Sequence, residues 1–258
     1  MRIALALLGA SRGHPLTTPM FIAAAEVLSL SPNAMRIALS RLTARGDIVT
    51  RKRGTYALSS ERGQAFAHVR RYRSGFATRV PWRGHYFGVL TADLPRRDAT
   101  LLRRRLNALD LAGFRALPHG LFARPDNLAG GRDALHEHLS QLGLDPRAEL
   151  IGVTLTPAQS AVLQRHYRVE ADALRCRTLA TKVEALLAQM KHRAPRQVAA
   201  PSFFLGDEVL RFLARDPLLP EAWARPAPRK RLADLMSRLD EHGLAVWRSL
   251  LEELESTP

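Results

Sequence analysis

The sequence predicts an α+β fold. A winged helix-turn-helix over 1–66 leads through a linker, 67–81, into a ferredoxin-like β-α-β-β-α-β domain over 82–156, and an all-α C-terminal domain fills 157–258. Three observations carry this reading. The first sixty residues place proline-started helical segments ahead of a basic, alternating hairpin pattern. Residues 82–156 switch between strand-like and helix-like periodicity in the order of a split β-α-β. From Pro157 onward the apolar spacing is helical almost throughout, with one proline-rich break over 216–228.

Taken in order, residues 2–9 form a helix that is apolar nearly all round, and Gly13 and Pro15 mark a loop. Thr18 reads as the N-cap of a second helix with Pro19 at its first position, running to Leu28. After the turn Ser29-Leu30, Ser31 caps a third helix that also begins with proline and stops near Arg45, before Gly46. At about 100° per residue, Met35, Ala38, Leu39 and Leu42 fall on one face and pack inward. Asn33, Arg36, Ile37, Ser40 and Ala44 fall opposite, with Arg41 and Arg45 on a flank. The stretch IVTRKRGTYALS then alternates, turns at Arg53-Gly54 and alternates back. The basic run 68–81, with Arg70, Arg71 and Arg73, reads as a short helix and a crossing into the next domain. There, WRGHYFGVLTAD is a strand, and a helix follows from Pro95 to Ala112 with Leu101, Leu102, Leu106 and Leu109 on its buried side. Two short strands broken at Pro118-His119-Gly120, a helix over 132–142 and the closing strand ELIGVTLT complete the domain.

Charge points to the partner. The chain carries a net charge of +15, unevenly: residues 1–80 hold thirteen basic and three acidic side chains (Glu26, Asp47, Glu61). Such local excess is what a domain facing a polyanion needs. In a winged helix the third helix enters the major groove and the hairpin reaches phosphates or the minor groove. The expected contacts with double-stranded DNA are Ser31, Asn33, Arg36, Ile37, Ser40, Arg41, Arg45, Arg51, Lys52 and Arg53. Arg36 is the expected base reader, because arginine to guanine is the commonest specific pair, and Ile37 suits a thymine methyl. Arg41, Arg45 and the triplet Arg51-Lys52-Arg53 suit phosphates, or, at the hairpin tip, the minor groove.

Other chemistry finds little support. Cys176 stands alone, so no internal disulfide forms, and a structural or incidental thiol is expected, although Arg175 and Arg177 beside it favour a lowered pKa. The apolar start MRIALALLGAS reads as a core helix rather than a leader, and no run approaches about 18 apolar residues, so neither a membrane span nor a location outside the cytoplasm is expected. His136 and His138 lie two apart on a helix and therefore on different sides, His119 sits in a turn, and no zinc-like spacing or Gly-x-Ser-x-Gly elbow occurs. No metal, no cofactor and no enzymatic activity are expected. One rival remains. The middle domain is similar to small ferredoxin-like nucleases of CRISPR adaptation, which carry an aspartate where Asp93 ends the first strand, and a symmetric dimer would supply that carboxylate twice to a metal. A DNA-binding regulator without any small-molecule effector is a third reading.

Four stretches together carry a family resemblance: NAMRIALSRLTARG followed by the hairpin glycine and YALS, PWRGHYFGVL with RRRLNALDLAGF, LPHGLFARP, and RFLARDPLLP. In this order they resemble the PaaX family of bacterial transcriptional repressors over nearly the whole chain. The resemblance implies a homodimer on a palindromic operator, released by an acyl- or aryl-CoA effector such as phenylacetyl-CoA. After RDPLLP the chain continues EAWARPAPRKRL, without the family's Trp-Pro-Gly pattern, so no effector-binding residues carry over. On this view an effector pocket between the middle sheet and the C-terminal helices would draw on Trp82, Tyr86, Phe87, Phe203, Phe204 and Trp223, residue types that more often form plain core. Arg83, Lys191, Arg193 and Arg196 would lie near the CoA phosphates.

Overall fold

The structure, a computed structural model, describes residues 1–11, 13–60, 62–63, 66, 79–95 and 97–255. Arg70, Arg71, Arg73 and residues 67–78 of the expected linker lie outside the described residues. The fold is α+β with small antiparallel sheets. Two units divide the chain: Met1–Arg70, Thr178–Leu210 and Leu232–Pro258 form one, and Arg71–Arg177 with Arg211–Arg231 form the other.

The first unit begins with α1 (Arg2–Ala10), β1 (Leu16–Thr17), α2 (Thr18–Val27), α3 (Pro32–Ala44), β2 (Ile48–Lys52) and β3 (Thr55–Leu58). The strands form a sheet in the order β1-β3-β2, so the hairpin β2–β3 gains a third, two-residue strand. Thr17, not Thr18, is the N-cap of α2: its hydroxyl accepts from Met20 N, which leaves Thr18 free to bond elsewhere. Ser31 caps α3 as expected. Phe21, Leu8, Leu39, Leu42 and Ile48 make the centre of this core, and Ala200, Phe203 and Trp247 pack against it from far along the sequence.

The second unit carries β4 (Tyr86–Leu90), α4 (Ala99–Leu111), β5 (Arg115–Ala116), a single 3-10 turn (Pro118–Gly120), β6 (Leu121–Pro125), α5 (Gly131–Gln141), β7 (Glu149–Val153) and α6 (Pro157–Arg165). Its antiparallel sheet has the order β5-β6-β4-β7. Alternation along β4 splits the core in two. Phe87 and Val89 face α4 and α5 together with Phe114, Leu139 and Leu150, whereas Tyr86 faces Leu163, Tyr167 and Leu219. Three long helices, α7 (Val169–Met190), α8 (Pro195–Leu213) and α9 (Ala227–Glu255), complete the chain and contribute residues to both units.

Helix α4 departs from its expected start and face. Asp98 is its N-cap, accepting from Thr100 N at 2.8 Å and Leu101 N at 3.0 Å, so Pro95 precedes the helix rather than opening it. The buried residues are Arg105, Ala108 and Leu109, while Leu101 and Leu106 are exposed. Leu101 lies in the first turn, and Leu106 falls about 60° beyond the buried arc on a 100° wheel. The arc is centred on Arg105, a position that a hydrophobicity pattern reads as solvent. Arg105 instead turns back to donate to Pro95 O at 3.1 Å.

One glycine here is under close constraint. Gly113, at the end of α4, has φ +80°, and a Cβ on it would stand 3.0 Å from Pro217 Cα and 3.1 Å from Pro217 O. Gly113→Ala therefore combines a left-handed penalty of about 1–2 kcal/mol with a clash against backbone. A loss of about 2–4 kcal/mol is expected from denaturant unfolding.

Candidate nucleic-acid interface

All ten residues proposed to meet DNA are exposed and belong to one unit. Helix α3 buries Met35, Ala38, Leu39 and Leu42, and this orientation turns Asn33, Arg36, Ile37, Ser40 and Arg41 outward. Ser31 sits at the helix start, its hydroxyl 3.5 Å from Ala34 N. Arg51 and Lys52 end β2, and Arg53 occupies the turn.

The register makes the hairpin tip distinct. Thr50 pairs with Tyr56 and Lys52 with Thr55, so Arg51 is the extra residue of a bulge. A bulge bends and twists its strand, and here the bulged residue is the first of the three exposed cations that lead into the tip. Gly54 turns the chain at φ +71°. Its carbonyl accepts from Thr18 N at 2.8 Å and Thr18 Oγ1 at 3.1 Å, which fastens the tip to the start of α2. The residue displaced from capping is thus the residue that holds the hairpin.

Charge at the base of the hairpin is treated differently. Asp47 is buried, and its Oδ1 accepts from Arg62 Nε at 2.7 Å while Arg62 Nη2 lies 2.6 Å away. Arg45 Nε stands 3.2 Å from Asp47 Oδ2, close enough for a charge pair but without the alignment of a hydrogen bond. Arg45 therefore shares its charge within the protein. Among the described residues no ion pair engages Arg36, Arg41, Arg51, Lys52 or Arg53.

The second unit holds a polar network that sequence patterns did not reveal. Arg124 is buried, and it donates to Ala112 O, Pro125 O at 3.2 Å, Asn127 Oδ1 at 3.4 Å and Pro217 O at 3.3 Å. Asn127, also buried, donates to Leu218 O at 2.7 Å, and Arg79 donates to Leu219 O at 3.2 Å. Three side chains therefore clamp three successive carbonyls of the RDPLLP loop, whose Leu218 holds a left-handed φ of +52°. Two of the stretches that carry the family resemblance, LPHGLFARP and RFLARDPLLP, meet at this point. Burial lowers the Arg124 guanidinium to about 10 and raises the neighbouring Tyr167 phenol to about 12. Tyr167 donates to Gly113 O at 2.9 Å.

These two groups titrate with opposite consequences. The raised phenol contributes stability that is present below pH 10 and is lost as pH rises through about 12. The lowered guanidinium acts the other way, adding stability as pH rises through about 10 towards its ordinary, higher value. Tyr167→Phe removes the first effect. The stability gap between the natural protein and this variant should therefore be constant below pH 10 and close above it, as read by urea unfolding at successive pH values.

Of the aromatic side chains expected around an effector, those of the second unit do not all share one face of its sheet. Trp82, Tyr86 and Trp223 cluster with Tyr167, with Trp82 and Trp223 centroids 5.1 Å apart. Phe87 faces the opposite side of the sheet, and Phe203 and Phe204 pack together in the other unit beside Trp247. The physical reason is local: Tyr86 and Phe87 are neighbours on a strand and point to opposite faces. Arg83, Lys191, Arg193 and Arg196 are all exposed. Cys176 is buried, and burial first, then Asp216, pushes its thiol up to about 11, against the lowering expected from its flanking arginines.

Asp93 is exposed in the turn after β4. His136 is exposed and His138 buried, on different sides of α5, and His119 is exposed in the turn before β6 with φ +63°. Among the described residues no group of three or more His, Cys, Asp or Glu side chains is placed to hold a metal ion. No helix among them is long and apolar enough to cross a membrane.

Comparison with known proteins yields a fold relative without a function. No family model matches the chain, and no curated protein matches it. Among solved structures it is similar to the uncharacterized protein Rv0674 from Mycobacterium tuberculosis, with a TM-score of 0.58 and 16% identity. The match covers 98% of this chain and 97% of that one. At this identity the likeness concerns the arrangement of the backbone alone.

Proposed function

We propose that the chain is a sequence-specific DNA-binding transcriptional regulator of the PaaX type, a dimeric repressor on a palindromic operator released by an acyl- or aryl-CoA effector. The observation that carries the DNA-binding part is the joint exposure of the outward face of α3 and the Arg51-Lys52-Arg53 tip on one unit. Supporting it, the order α1-β1-α2-α3-β2-β3 with the sheet β1-β3-β2 is the order of a winged helix. On this reading α3 lies in the major groove and the bulged hairpin is the wing. The sheet order β5-β6-β4-β7, with α4 and α5 as crossovers, fits the ferredoxin-like domain that follows the wing in the proposed family.

The repressor and effector parts rest on the resemblance of the four sequence stretches. Repression follows from occupancy of the operator, and release from a ligand that binds better to a DNA-incompetent geometry of the dimer. Fluorescence polarisation of the purified protein on the duplex upstream of its own gene, across a salt series and with or without phenylacetyl-CoA, tests both parts. Tight, salt-steep binding relieved by the thioester is the expected result. Binding indifferent to the thioester would leave a DNA reader with another effector or none, and absence of sequence preference would overturn the proposal.

A further inference from the structure

We infer that Ile37 reads base edges from the outward face of α3, and that its partner is a thymine 5-methyl group on the floor of the major groove. This rests on the proposed DNA-binding function and deepens it. The buried residues Met35, Ala38, Leu39 and Leu42 define the inward direction of α3. At about 100° per residue, Ile37, Asn33, Ser40 and Ala44 all lie within about 30° of the direction opposite to it. Arg36 and Arg41 lie about 70° off that direction, one on each side.

The face is therefore a ridge of small and apolar side chains with an arginine along each edge. Ile37 is 45% exposed and is the only large apolar side chain that α3 exposes. This β-branched aliphatic group lies outside the hydrophobic core of its unit. In a major groove it meets the one apolar group that base edges present there, the thymine methyl, while the flanking arginines reach towards phosphates or guanines nearer the groove walls.

The test uses the full chain and a duplex enriched by that chain from a random library. Each thymine is replaced in turn by deoxyuridine, which removes only the methyl group. One thymine per half-site should be sensitive, with binding about fourfold weaker on loss of one buried methyl. Ile37→Ala should bind the thymine and uracil duplexes equally at that position, and Ile37→Val should keep part of the difference. Arg36→Ala should bind more weakly yet preserve the thymine-to-uracil ratio. Indifference to every methyl, or a ratio that survives in Ile37→Ala, overturns the assignment and leaves the DNA-binding proposal standing. If no sequence is enriched at all, both fall together. Because Ile37 supports no core, circular dichroism of the variants should match the natural protein, and a folded Ile37→Ala is the condition under which these outcomes are read.

Discussion

Replacing Arg51, Lys52 and Arg53 together by alanine is expected to weaken binding to every duplex alike and to flatten its salt dependence. If each side chain neutralises one phosphate, the slope of log affinity against log salt falls by about 2.7, since each contact contributes about 0.9. The effect is large because these three cations are exposed and no ion pair among the described residues engages them. Arg45 is the internal contrast. Its partnership with Asp47 at 3.2 Å already offsets its charge, so Arg45→Ala should change the slope less than any one tip residue does. Arg36→Ala differs in kind, costing about 1–3 kcal/mol and relaxing preference at one base pair while leaving most of the slope intact. Polarisation titrations at several salt concentrations, on matched and scrambled duplexes, separate these behaviours. A triple variant that altered sequence preference but kept the slope would make the tip a base reader instead.

The second large effect is on stability. Arg124→Met should destabilise the protein by about 3–5 kcal/mol, because it leaves the buried carbonyl of Ala112 and the part-buried carbonyl of Pro217 without their donor. For a chain of this size the melting temperature should fall by about 10 °C. Lysine should not rescue it. A single ammonium cannot reproduce a planar fork that reaches acceptors on α4, on β6 and on the RDPLLP loop at once. Differential scanning calorimetry of Arg124→Met and Arg124→Lys measures both. Near-equal stability of the lysine variant would mean that charge, rather than the fork, is what the site requires.

Much of the first unit could be read from residues alone. Proline after a capping hydroxyl marks the start of α3, the 3.6-residue period assigns Met35, Ala38, Leu39 and Leu42 inward, and Arg53-Gly54 marks the hairpin turn. These features depend on neighbours within a few positions, and local rules describe them. The cap of α2 slipped by one residue because Thr17 and Thr18 are both competent, and a contact 36 positions away, Thr18 to Gly54, decides between them. The face of α4 was misjudged because a buried arginine contradicts a pattern built on hydrophobicity. The Arg124 network was illegible for a related reason: its acceptors on the RDPLLP loop lie 91 to 140 positions along the chain, and no periodicity encodes them. The separation of Tyr86 from Phe87, by contrast, was available from strand alternation alone.

Phe203 and Trp247 complete the packing around Phe21, Leu8 and Leu42, so the unit that bears α3 and the hairpin is finished by residues near the far end of the chain. A growing polypeptide cannot close this core until Trp247 has been made. Residues 1–66 expressed alone would leave an apolar surface uncovered, and should associate or collapse loosely rather than serve as a miniature DNA reader. An unfinished or C-terminally clipped chain thus carries the contact residues but not the core that holds them in position. On the proposed function, competence to engage DNA requires a chain made at least as far as Trp247.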